Sequence, residues 1–151
     1  MSKMAAIGFV VTLAASVACG VREDGPPVIE VDRSACAHCG MLISEPRFAA
    51  AYRLTPGTPI FDDIGCLLDA FSREADKGSI RFWFHDVNTA EWVDGSRAVF
   101  IQSARLRTPM AGGVVAYSDR AAAERGAAEH EGRVIGALDD LLTQPRKGGE
   151  S

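Results

Sequence analysis

Ile60-Phe61-Asp62-Asp63-Ile64-Gly65-Cys66-Leu67-Leu68 passes from strand to helix within three residues. Ile60-Phe61 is a short apolar pair, and an aspartate follows where a helix needs an N-cap acceptor. Leu67, Leu68 and Phe71 then recur at core-facing helical spacing, which predicts a helix over Ile64 to Lys77 stopped by Gly78. Upstream, Phe48 to Leu54 reads as a strand, closed off by the turn residues Thr55-Pro56-Gly57-Thr58-Pro59. Downstream, Ile80-Arg81-Phe82-Trp83-Phe84-His85-Asp86-Val87 is rich in aromatic residues and reads as a central strand. The order is strand, strand, helix, strand.

The second half of the chain repeats that order. Ala98-Val99-Phe100-Ile101 and Val114-Val115-Ala116-Tyr117 are strands on either side of a turn, Leu106 to Gly113. Ser118-Asp119 caps an alanine-rich helix to about Glu131, Gly132 stops it, and Arg133-Val134-Ile135 closes the unit. A short helix, Ala137 to Leu142, follows. Arg53-Leu54-Thr55-Pro56 matches Leu106-Arg107-Thr108-Pro109, and Phe61-Asp62-Asp63 matches Tyr117-Ser118-Asp119. The matches imply an internal duplication with a period of about 55 residues. The expected fold is therefore α+β: two related ββαβ units, residues 28–90 and 91–143, joined around Trp92. Neither is large enough for a comfortable core of its own, so the two must pack together. Val28-Ile29-Glu30-Val31 is expected to add a short edge strand, and residues 144–151 read as a disordered tail.

The N-terminus belongs to no domain. Lys3 precedes an apolar stretch, Met4 to Ala18, that is too short to span a bilayer but suits a signal peptide over residues 1–18. Ser16-Val17-Ala18-Cys19-Gly20 resembles a lipobox, which implies cleavage before Cys19 and acylation of its sulfur. Residues 19–27, with Pro26-Pro27, would tether the domain to a bacterial membrane on its extracytoplasmic side. The formal charge is −4 with both signs interspersed, so there is no basic stripe for nucleic acid.

Three of the four cysteines remain free of lipid, and an odd number leaves one thiol outside any disulfide framework. Cys36-Ala37-His38-Cys39-Gly40-Met41 gathers two thiols, an imidazole and a thioether within six residues. Thiolates and thioethers suit Cu(I), and thiolates with imidazole also suit Zn(II). A Cys-x-x-Cys pair can instead be a redox dithiol, but no helix follows this one to acidify a thiol. A disulfide between Cys36 and Cys39 would close almost no loop and stabilise little. Cys66, in the first turn of a helix, is a candidate third thiolate favoured by the helix end, or simply a core residue. Met110, in a glycine-rich loop with little core to fill, is a candidate ligand, as are Met41 and His38. His85 and His130 read as structural. Asp62 and Asp63 read as helix caps, with contact to Cys66 as a lesser role. No Ser/His/Asp arrangement, phosphate loop or hydrolytic carboxylate pair calls for an enzyme.

Taken together, the lipobox Cys19, Cys36-Ala37-His38-Cys39-Gly40-Met41, Phe61-Asp62-Asp63-Ile64-Gly65-Cys66, Phe84-His85-Asp86 with Trp92, Ala98-Val99-Phe100-Ile101 and Thr108-Pro109-Met110 resemble the NosL family of nitrous oxide reductase accessory lipoproteins. The resemblance covers essentially the whole mature chain. It implies two related ββαβ units and a Cu(I)-binding metallochaperone outside the cytoplasm. Such a protein would supply nitrous oxide reductase, or another cuproenzyme, alongside an ABC-type maturation machine. It also implies Cys36 or Cys39 in the cysteine role and Met110 in the methionine role. The sequence departs from many members in having a second loop thiol and Cys66, which leaves room for tighter copper binding or for zinc. A zinc-binding structural module and a thiol-disulfide oxidoreductase are the alternatives.

Overall fold

Ala50 sits between two phenylalanines, opposite Phe61 on one side and Phe84 on the other. That position explains why a run of alanines forms a strand here: the strand is central, fully buried, and flanked by bulky neighbours. The computed structural model describes residues 25–144 apart from Thr55 and Asp76. The signal peptide, Cys19, most of the tether and residues 145–151 of the tail lie outside the described residues.

The first unit runs β1 (Ala50–Tyr52), β2 (Ile60–Phe61), α1 (Ile64–Ser72) and β3 (Phe82–His85), followed by β4 (Trp92–Asp94). The second runs β5 (Val99–Gln102), β6 (Val114–Tyr117), α2 (Arg120–Glu129) and β7 (Arg133–Ile135), with a last helix α3 (Leu138–Leu142). The sheets are antiparallel, in the orders β2-β1-β3-β4 and β6-β5-β7. In each ββαβ unit the first strand lies between the other two, and Val99 of β5, opposite Tyr117, holds the place that Ala50, opposite Phe61, holds in β1. The fold is α+β.

The units share their cores. Phe84 and Phe100 meet edge to face, with centroids 4.8 Å apart, and residues of both units make up the larger cluster around them. Phe48, on a 3-10 turn just before β1, packs among Val99, Ile101, Val115 and Tyr117 of the second unit. Past the end of β3, Val87 N–H donates to Ala116 of β6 at 2.9 Å. The buried Asp86 carboxylate takes both the backbone N–H and the hydroxyl of Ser118 at 2.7 Å. Burial opposes its charge, but the bonds from Ser118, Asn88 and Thr89 outweigh that and hold the carboxyl below its usual range.

Three local expectations change. Val28 to Val31 is no strand: Ser34 ties Glu30 into a turn through N–H bonds in both directions, and Val28 and Val31 stay exposed. Helix α1 ends at Ser72, because no large apolar residue follows Phe71 until Ile80 and core packing runs out. The segment around Trp92 is a strand, β4, paired with β3 across a turn in which Ala90 takes a left-handed φ of 55°.

Candidate metal centre

The cysteine loop is a miniature hairpin. Asp32 N–H donates to Ile43, Ile43 N–H to Ser34, and Ala35 bridges Leu42 in antiparallel fashion. Within it Cys36 N–H donates to Met41 at 2.8 Å and Gly40 N–H to Cys36 at 3.0 Å, so the chain reverses in four residues. Gly40 has φ +76°, and open space surrounds its α-carbon; the backbone angle is what demands glycine. Ala37 N–H docks the loop on Ile60 of β2 at 2.8 Å. Two residues beyond that docking point comes Asp62, and four beyond Asp62 comes Cys66.

This arrangement converges on one spot. The three thiol sulfurs of Cys36, Cys39 and Cys66 and a carboxylate oxygen of Asp62 all lie within 4.8 Å of one another. Cys36, Asp62 and Cys66 are each 3% exposed, while Cys39 is half-buried and forms the accessible side. Cys39 Sγ lies 3.6 and 3.7 Å from the two Asp62 oxygens. All three cysteines are free thiols. A zinc–sulfur bond of about 2.3 Å separates two sulfurs of a tetrahedral site by roughly 3.8 Å. The cluster is therefore a small contraction away from ligation.

Asp63 does the neighbouring structural work. Its side chain caps α1 by accepting Gly65 N–H at 2.6 Å. Its other oxygen accepts the Thr108 hydroxyl at 2.6 Å and Met110 N–H at 3.0 Å. Gly65 and Gly112 close the same seam: a Cβ on Gly112 would come 3.1 Å from Gly65 Cα and 2.4 Å from an Asp63 oxygen. Thus the loop carrying Met110, from the second unit, is fixed against the helix end that carries Cys66. Met110 itself is 43% exposed and Met41 is 53% exposed. His38 is half-buried on the cysteine loop and stands outside the tight donor cluster. His85 is buried elsewhere, beside Trp92 and hydrogen-bonded to Pro46; burial lowers its pKa.

The NosL family model matches residues 27–143. The chain belongs to the NosL family. The crystal structure of the copper chaperone NosL from Shewanella denitrificans superposes with a TM-score of 0.67 at 14% identity, covering 79% of this chain and 96% of that one. At that identity the likeness speaks for a shared fold. No curated protein matches the sequence.

Cys36 and Cys66 of this NosL-family chain are not primed as nucleophiles. Burial first, and then the repulsion that a thiolate would meet from the acidic groups clustered around it, push the Cys66 thiol well above its ordinary range. Burial likewise raises Cys36. The expectation that the helix end would favour a Cys66 thiolate fails, because desolvation and clustered negative charge exceed the half-charge of a short helix. Such thiols hold their protons until a cation replaces them, which suits ligation and not dithiol exchange. The carboxylate of Asp62 is the site member that capping logic assigned elsewhere; its placement next to Asp63, the true cap, hid it.

Proposed function

We propose that this protein is an extracytoplasmic Cu(I) metallochaperone, a binding protein and not a catalyst, with Cys36, Cys39 and Cys66 as its sulfur donors. The observation that carries the reading is the convergence of three thiols on one point in a NosL-family chain. Two of them are buried and Cys39 is open to a partner. Soft sulfur donors suit Cu(I) over hard cations. A recipient's ligand would approach on the Cys39 side, take one coordination position, and draw the ion out stepwise. The exposed thioethers of Met41 and Met110, and His38, would serve as outer or auxiliary ligands during that exchange.

The recipient is a cuproenzyme, nitrous oxide reductase being the family's namesake client, reached with an ABC-type maturation complex. The lipobox supports a mature chain anchored in a bacterial membrane through acylated Cys19 and a short tether. Cu(I) titration against a chromogenic chelator, under reducing conditions, tests the core of the reading. One ion should bind per chain. Cys36→Ser and Cys66→Ser should each weaken binding by more than the roughly 10–100-fold that loss of an outer partner costs. Undiminished Cu(I) binding by both variants would refute it.

A further inference from the structure

Asp62 and Asp63 are adjacent, both buried, and satisfied in opposite ways. Asp63 accepts two backbone N–H groups and one hydroxyl. The Asp62 carboxylate, 3% exposed, has its hydrogen-bond contacts among the described residues with thiols, at 3.6 and 3.7 Å from Cys39. Thiols are weak donors, so a buried carboxylate among them is poorly stabilised by the protein alone. What would stabilise it is a cation.

The donor types say which kind, and the spacing is compatible with it. With zinc–sulfur at about 2.3 Å and zinc–oxygen at about 2.1 Å, a tetrahedral ion separates sulfur from oxygen by roughly 3.6 Å. Cys39 and Asp62 already stand at that separation. Cu(I) is satisfied by two or three sulfurs and gains little from a carboxylate, whereas Zn(II) takes sulfur and oxygen donors and completes four positions.

We propose that Asp62 is the metal-selecting residue of the site. By joining or leaving the three sulfurs, it lets the pocket hold a tetrahedral divalent ion of the Zn(II) class as well as Cu(I). The inference rests on the reading that Cys36, Cys39 and Cys66 are the metal ligands, and it adds a second cargo or an exchangeable placeholder to that site. A divalent ion held there would protect the thiols from oxidation outside the cytoplasm until copper displaces it.

The test measures Zn(II) and Cu(I) affinities by chelator competition, and Co(II) absorption as a coordination probe, on the full mature domain and two variants. Asp62→Asn should lower Zn(II) affinity by more than the roughly 10–100-fold that removing an outer partner costs. The same variant should change Cu(I) affinity by less than about 3-fold, since soft sulfur ligation persists. Asp62→Cys should restore Zn(II) binding, with the tetrahedral Co(II) bands shifted to lower energy as sulfur replaces oxygen. Equal losses for both metals in Asp62→Asn would mean that the carboxylate contributes charge alone, and no zinc loss would mean that it is no ligand. Either overturns the proposal. Should Asp62→Asn lose both metals through misfolding, seen by circular dichroism, Asp62→Cys decides: recovered zinc supports the proposal and unrecovered zinc overturns it. A wild-type protein that binds Zn(II) as described but fails to take Cu(I) would sink the chaperone reading and the selecting role with it, leaving Asp62 only a ligand of the divalent ion.

Discussion

Replacing Asp63 with alanine removes a cap and a clamp at once, and the structure sets the scale of each loss. The cap on α1 is one bond to Gly65 N–H, and losing such a cap costs about 1 kcal/mol. The clamp is two bonds from the other unit, from the Thr108 hydroxyl and Met110 N–H, to a fully buried carboxylate. Donors left without a partner in a buried seam cost about 1–3 kcal/mol each. Asp63→Ala should therefore destabilise the reduced, metal-free domain by about 3–7 kcal/mol, a large share of the roughly 5–15 kcal/mol that holds an ordinary domain folded. Asp63→Asn should lose less. Its carbonyl can keep the Gly65 bond, but its amide group meets Met110 N–H donor to donor. Urea unfolding followed by circular dichroism gives both numbers, and Thr108→Val completes a double-mutant cycle with a coupling of about 1.5–3 kcal/mol. A loss below about 1 kcal/mol for Asp63→Ala, or additive effects in the cycle, would show that Asp63 does not join the two units.

Metal affinity should rise with pH, because Cys36 and Cys66, raised chiefly by burial, carry protons that a metal must displace. Two such protons make the apparent affinity climb by up to about 100-fold per pH unit near neutrality; competition titrations at several pH values would show a flat profile if the thiols were already ionised. By the same linkage, the raised thiols stabilise the metal-free fold below their ordinary value of 9.0, and that contribution fades as the solution becomes more alkaline. Gly126→Ala should destabilise by about 1–3 kcal/mol despite alanine's better helix propensity. The new methyl would lie 2.2 Å from Tyr117 Oη and 3.3 Å from Ile101 in a closed core, and a thermal melt at or above wild type would contradict that packing.

Much of this architecture was legible because the duplicated signals are local. Turn chemistry between hydrophobic runs, and an aspartate before each helix, mark both ββαβ units without any long-range information. What stayed hidden depends on partners distant in sequence. The β4 strand has three residues and exists through its pairing with β3, which no local pattern announces. The expected reach of α1 to Lys77 ignored that helices persist where they have a face to bury. The thiol cluster was half visible: Cys36 and Cys39 declare themselves by spacing, whereas Cys66 and its low acidity depend on how deeply the loop docks against β2.

The two aspartates hold the sharpest lesson, since one could have been assigned from the repeat. Asp63 has extended backbone angles, φ −145° and ψ 140°, so its side chain and that of Asp62 leave the chain on opposite sides. One side faces the cysteine hairpin and the other faces the second unit. The duplicated site behaves in the same way: Asp119 caps α2 through Ala121 and Ala122, while Ser118 before it reaches across to Asp86 of the first unit. Aligning Asp63 with Asp119 identifies it as the cap. Asp62 then aligns with Ser118, a position whose side chain is free to serve something outside its own helix. In the second unit that something is a structural carboxylate. In the first it is a nest of three thiols, and placing an acid there instead of a serine puts negative charge where a cation can use it.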